Sequence, residues 1–142
     1  MANPLPMMRT MHGLHLTADL RGCPNSAALT EPESLRALCL RAVAESGLSA
    51  VGELFHPFQL LPGPGGVTGV VLLAESHLAV HTWPELGAVT LDAYVCNYGC
   101  DNSAKAEALV AALIAAFAPA SVSRQRLLRG MPPSPACGRG LG

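Results

Sequence analysis

The sequence predicts an α+β fold: a two-layer sandwich in which a mainly antiparallel sheet carries two helices on one face. Three observations predict it. The elements run in the order β-α-β-β-β-β-α-β, an order that suits an antiparallel sheet with helices packed on one side. The strand at 88–96 alternates, with Val89, Leu91, Ala93 and Val95 pointing one way and Thr90, Asp92, Tyr94 and Cys96 the other, as a sheet with one buried face requires. The length of 142 residues supports one core and is too short for two ordinary domains.

The elements can be taken in order. HGLHLTADL (12–20) alternates and reads as a strand closed by the turn Gly22-Cys23-Pro24. PESLRALCLRAVAES (32–46) places Leu35, Leu38, Cys39, Ala42 and Val43 at helical spacing. Thr30 is its candidate N-cap and Gly47 its stop. AVGELFHPF (50–58) is a second strand, followed by LPGPGG (61–66), read as a Gly/Pro-rich loop. VTGVVLLAES (67–76) is a buried strand ending at a break. HLAVHTW (77–83) and AVTLDAYVC (88–96) are strands with a turn between them, SAKAEALVAALIAAF (103–117) is a second helix, and SVSRQRLLRG (121–130) is a closing strand. Residues 1–10 are expected to be a flexible extension and 131–142 a disordered Pro/Gly-rich tail, leaving 11–130 as the domain.

Composition narrows the function classes. Half the residues are apolar, 13% are charged and the formal net charge is -1. This gives no electrostatic case for nucleic acid or an anionic membrane surface. No apolar run reaches the ~20 residues of a membrane span, and MANPLPMMRTMHG lacks the features of a secretory signal, so the expected location is the cytoplasm. Sparse charge and the polar side of strand 88–96 call for a cover on that face, and a second copy of the chain would supply one. The five cysteines, Cys23, Cys39, Cys96, Cys100 and Cys137, are odd in number, which disfavours a disulfide framework in a reducing compartment. Cys96 and Cys100 lack the partners of a zinc site, and no metal is expected. Lys105 is the only lysine. It opens a helix with no phosphate-cradling glycine loop nearby, which disfavours pyridoxal phosphate chemistry.

The stretch AESHLAVHTWPELGAVTLDAYVC (74–96) carries the chemistry. Glu75-Ser76-His77, the His-Thr-Trp-Pro-Glu beginning at His81 and Cys96 twenty residues after Ser76 together resemble the short, homodimeric, prokaryotic S-adenosylmethionine decarboxylase family. Weaker likeness runs through Gly13-x-His15, Asp19-x-x-Gly22-Cys23, Gly69 and Arg129-Gly130, so it covers roughly residues 11–130.

The resemblance implies a proenzyme that cuts itself between Glu75 and Ser76. The Ser76 hydroxyl attacks the Glu75 carbonyl to give an ester, elimination yields dehydroalanine, and hydrolysis leaves a pyruvoyl group on the downstream chain. The products are a β chain of 1–75 and an α chain of 76–142. That carbonyl is the cofactor, an electron sink for decarboxylation that needs no lysine. It also implies a homodimer of αβ units, a four-layer α-β-β-α assembly, S-adenosylmethionine as substrate and a place in polyamine (spermidine) synthesis.

Further roles carry over residue by residue. His81 corresponds to the histidine that assists processing, as base for the elimination. Spacing alone does not show this: in a straight strand His81 lies ~16 Å from Ser76 and on the opposite face, and ~13 Å from His77. Cys96 matches the proton donor to Cα, a role that suits a thiol with its ordinary pKa near ~8.5. A free cysteine is otherwise a buried small hydrophobe.

Glu85 and Trp83 are candidates for substrate binding; the alternatives are a solvated turn and a core ring. Thr68 stands where the family commonly has the serine that supports processing, and it keeps the hydroxyl. Phe58 lies near where the family offers an aromatic for adenine, displaced by extra loop residues. Phe55 is a further possible stacker. Glu53, Asp92 and Glu85 are candidate cation partners, which matters because relatives turned to arginine or ornithine form the main alternative. A non-catalytic dimeric binding module is the second.

Overall fold

The computed structural model describes residues 12–60 and 62–130. The expectations for residues 1–10 and 131–142 lie outside these. Six strands form one sheet in the order β2-β3-β4-β5-β1-β6, and every neighbouring pair is antiparallel. The strands are β1 (His12–Arg21), β2 (Ala50–Leu60), β3 (Gly63–Leu73), β4 (Ser76–Trp83), β5 (Ala88–Cys96) and β6 (Ser121–Gly130). The helices are α1 (Ala27–Thr30), α2 (Pro32–Glu45) and α3 (Ser103–Phe117).

Strand parity decides where the core sits. Leu14, Leu16, Ala18 and Leu20 of β1, Val67, Val71 and Leu73 of β3, Leu78 and Val80 of β4, and Val89 to Val95 at alternate positions of β5 are buried. They meet Leu35, Cys39, Ala42 and Val43 of α2, and Ala106, Leu109, Val110, Leu113 and Phe117 of α3. α2 packs against β2 and β3, and α3 against β1 and β5, so both predicted helices cover the same face. Among the described residues no helix covers the other face. Burial pushes the Cys39 thiol up to about 12, and that of Cys23 upward too. Both are apolar packing elements rather than reactive groups.

Three local expectations are corrected. Thr30 does not cap α2; it ends the extra turn α1, and Glu31 takes the cap position with extended backbone, φ -112 and ψ 116. Pro32 is the cause, since it disfavours helical backbone in the residue before it and suits the first helical position. The 61–66 segment is not wholly a loop. β3 begins at Gly63, pairing with Leu60, and a register shift sets Phe58 alone opposite Gly65 and Gly66, so that β3 carries the extra residue. The third strand stops at Leu73 and Ser76 opens the next, leaving Ala74-Glu75 as a two-residue turn.

Thr82 shows why the site's frame is rigid. Fully buried, its hydroxyl donates to the Leu29 carbonyl at 2.8 Å and accepts the Val67 N–H at 2.8 Å, tying α1 and β3 to β4. Thr82→Val keeps the shape but strands both backbone groups. It is expected to cost about 1–3 kcal/mol, read as a lower Tm by several degrees in a thermal melt.

Candidate active site

Ser76 and Cys96 are brought together. β3 and β4 form a hairpin whose last pair is Leu73 and Ser76. Glu75, inside that turn, has φ 62, a left-handed conformation that costs a non-glycine residue ~1–2 kcal/mol. The Cys96 N–H donates to Ser76 Oγ at 3.0 Å, and the Cys96 carbonyl accepts from Asn102 Nδ2 at 2.9 Å. The backbone of Cys96 is thus held on both sides, by the candidate nucleophile and by the residue that precedes α3. A cavity of about 180 Å³ lies beside Ser76, lined also by Leu48, Leu73, Asn102 and Lys105. It is smaller than the ~300–1,000 Å³ of ordinary ligand sites.

A second group lies further along the open face. His81 pairs across the sheet with Thr68 on one side and Thr90 on the other. The His81 Nδ1 and the Thr68 hydroxyl are 3.3 Å apart, so Thr68 orients the ring. Trp83 stands beside His81 with ring centroids 6.1 Å apart. Glu85 sits in the 3-10 turn Pro84–Leu86 and lines a wider cleft of about 680 Å³ with Asn25, Thr30, Glu31 and Pro64. That cleft is at the opposite end of β4 from Ser76, so within one chain its size has no bearing on chemistry at Ser76.

Within one chain the two groups stay apart. Ser76 is on the helix-facing parity of β4 and His81 on the open one, five residues and ~16 Å along the strand. Of the possible stackers, Phe55 is removed: its ring lies where a Cβ on Gly69 would be, 2.2 Å from Cε2, on the core side of the sheet. Phe58 is half-buried at the register shift. Among the candidate cation partners, Glu53 is clamped by Arg36 Nε at 2.8 and 2.9 Å, fastening α2 to β2.

Sequence reasoning did not assemble one further cluster. On the open face Asp92 Oδ2 lies 2.8 Å from His15 Nε2 and 3.1 Å from His77 Nε2, and Arg129 Nη1 lies 2.8 Å from His15 Nδ1. Tyr94 stands beside both imidazoles. The alternation of β1 and β5 held the signal, since His15, Asp92 and Tyr94 all have the outward parity. Their register did not follow from it.

Comparison with known proteins identifies the family. The family model described as S-adenosylmethionine decarboxylase matches residues 14–130. An S-adenosylmethionine decarboxylase proenzyme of Aquifex aeolicus is 37% identical over 125 residues, 88% of this chain and 85% of that protein. One of Symbiobacterium thermophilum is 39% identical over 107 residues, 75% of this chain and 77% of that protein. The crystal structure of the adenosylmethionine decarboxylase from Aquifex aeolicus superposes with a TM-score of 0.72 at 34% identity, covering 87% of this chain and 93% of that one. With the family model spanning most of the chain, and the relatives and the fold in agreement, the chain belongs to the S-adenosylmethionine decarboxylase family.

Proposed function

We propose that the protein is a self-processing decarboxylase that cleaves between Glu75 and Ser76 and converts S-adenosylmethionine to its decarboxylated, aminopropyl-donating form for spermidine synthesis. The observation that carries the reading is the hairpin. The residue whose carbonyl would be attacked is held left-handed, and the next residue's hydroxyl is fixed by the Cys96 N–H. Cleavage releases the strain at Glu75 and frees residue 76 from the turn.

Ser76 is consumed to make the pyruvoyl group, which supplies the carbonyl that accepts electrons when carbon dioxide leaves. His81, oriented by Thr68, takes the Cα proton of residue 76 during processing. Cys96 returns a proton to the substrate's Cα. The ~16 Å between Ser76 and His81 makes one chain insufficient, so a second copy, packed on the open face, brings its His81 to the hairpin end that carries the first copy's Ser76. Leu54, Leu72 and Leu127, 68%, 49% and 56% exposed, give that face apolar area to bury. The assembly is then a homodimer with four layers, α-β-β-α. No helix among the described residues is long and apolar enough to cross a membrane.

Substrate choice follows from what remains available. Asp92 is engaged by two imidazoles and Glu53 by Arg36, which leaves Glu85 alone of the three candidate cation partners. Trp83 lies beside His81 and offers a flat surface for adenine. This favours the nucleoside over arginine or ornithine. Intact mass of the purified protein, followed by carbon dioxide release from each substrate side by side, tests the reading. S-adenosylmethionine should be turned over fastest; arginine or ornithine faster by about tenfold would overturn the assignment.

A further inference from the structure

The cluster around Asp92 has no part in the chemistry above. The register builds it: His15, His77 and Tyr94 fall in one row across β1, β4 and β5, with Asp92 in the next and Arg129, opposite Gly13, beyond. The side chains of His15, His77 and Asp92 are 19%, 37% and 29% exposed, enough burial for their hydrogen bonds to resist competition from water.

Two imidazoles and a carboxylate with ligand atoms within 4.8 Å of one another also describe a transition-metal site. Proton positions decide against it. A guanidinium can only donate, so His15 Nδ1 accepts from Arg129 and the ring's own proton sits on Nε2, aimed at Asp92. A metal would need the Nε2 lone pair, with Nδ1–H donating outward to an acceptor. Arg129 offers the reverse. The cluster is a hydrogen-bond relay in which Asp92 Oδ2 takes an N–H from each ring.

His77 immediately follows the bond that is cut. Before cleavage the covalent hairpin keeps residues 76 and 77 in register; afterwards the downstream chain begins one residue before His77 and the turn no longer restrains it. We propose that His77 is a positioning residue, whose bond to Asp92 keeps the new end of the downstream chain registered on β5 beside Cys96. Arg129 on the closing strand braces Asp92 through His15, which links β6 to that chain end. The inference rests on the self-processing reading.

The test compares His77→Ala with His77→Gln in the full chain. The glutamine amide N–H stands close to where Nε2–H stood. In His77→Ala, cleavage should stay within about threefold of wild type, because the intact hairpin carries Ser76. The kcat of the cleaved enzyme should fall ~10–100-fold, with KM changed by less than about threefold, as loss of a charge-assisted bond in the working enzyme predicts. His77→Gln should recover most of kcat. A His77→Ala enzyme with normal kcat, a glutamine variant as slow as alanine, or equal slowing of cleavage and turnover would each overturn the proposal. So would stoichiometric zinc that copurifies with wild type and whose removal lowers kcat. If the wild-type chain itself never cleaves, the self-processing reading fails first, an outcome distinct from all of these.

Discussion

Ser76→Ala is expected to remain one uncut chain with decarboxylation at background. The hydroxyl that would attack the Glu75 carbonyl is gone, and so is the source of the electron sink. If the enzyme's acceleration is of ordinary size, the loss is ~10⁶-fold or more. Wild type should instead give two chains, the piece beginning at residue 76 being blocked to Edman sequencing. The fold of the variant should survive, because Ser76 contributes only the Cys96 N–H contact at the end of a hairpin whose other pairs are backbone ladder. Mass spectrometry and carbon dioxide release together decide the matter. A fully active, uncut variant would remove the proposed cofactor.

Mixing two inactive chains should restore activity. His81→Ala alone is expected to accumulate uncut or ester-stalled chain. Co-expressed with Ser76→Ala, it should form mixed dimers in which one site has the Ser76 of one copy and the His81 of the other. Cleavage of only the His81→Ala chain, with up to roughly a quarter of wild-type decarboxylation, is the expected readout; random pairing makes half the dimers mixed, each with one of two sites intact. A site complete within one chain would give no rescue. Cys96→Ala should behave differently from both, cutting at least in part yet losing most turnover, since the thiol acts only after the cofactor exists.

Much of the fold was legible because its elements are locally coded. The alternation of β1 and β5 announces one buried face, and the spacing of Leu35, Cys39, Ala42 and Val43 announces the buried stripe of α2. Errors fell where a proline or a hairpin overrode local pattern. Pro32 split off α1 and moved the cap to Glu31, and pairing with β2 drew the glycines and proline at 63–66 into β3. Gly66 is required there for a reason invisible in sequence: a Cβ would stand 1.8 Å from the Thr82 carbonyl oxygen.

The candidate site divides along the same line. Which residue types are present, and the Glu75-Ser76, His81 and Cys96 pattern that points to the family, belong to the sequence by itself. The sequence also fixes, through the period of two along a strand, that Ser76 and His81 face opposite sides. Only the tertiary structure decided that Ser76 meets Cys96, that Phe55 is turned into the core, and that His15, His77, Asp92 and Arg129 converge. Each of these is a cross-strand contact between positions far apart in the chain. Register sets such contacts, and register is settled by the summed burial of the whole sheet face rather than by any one strand.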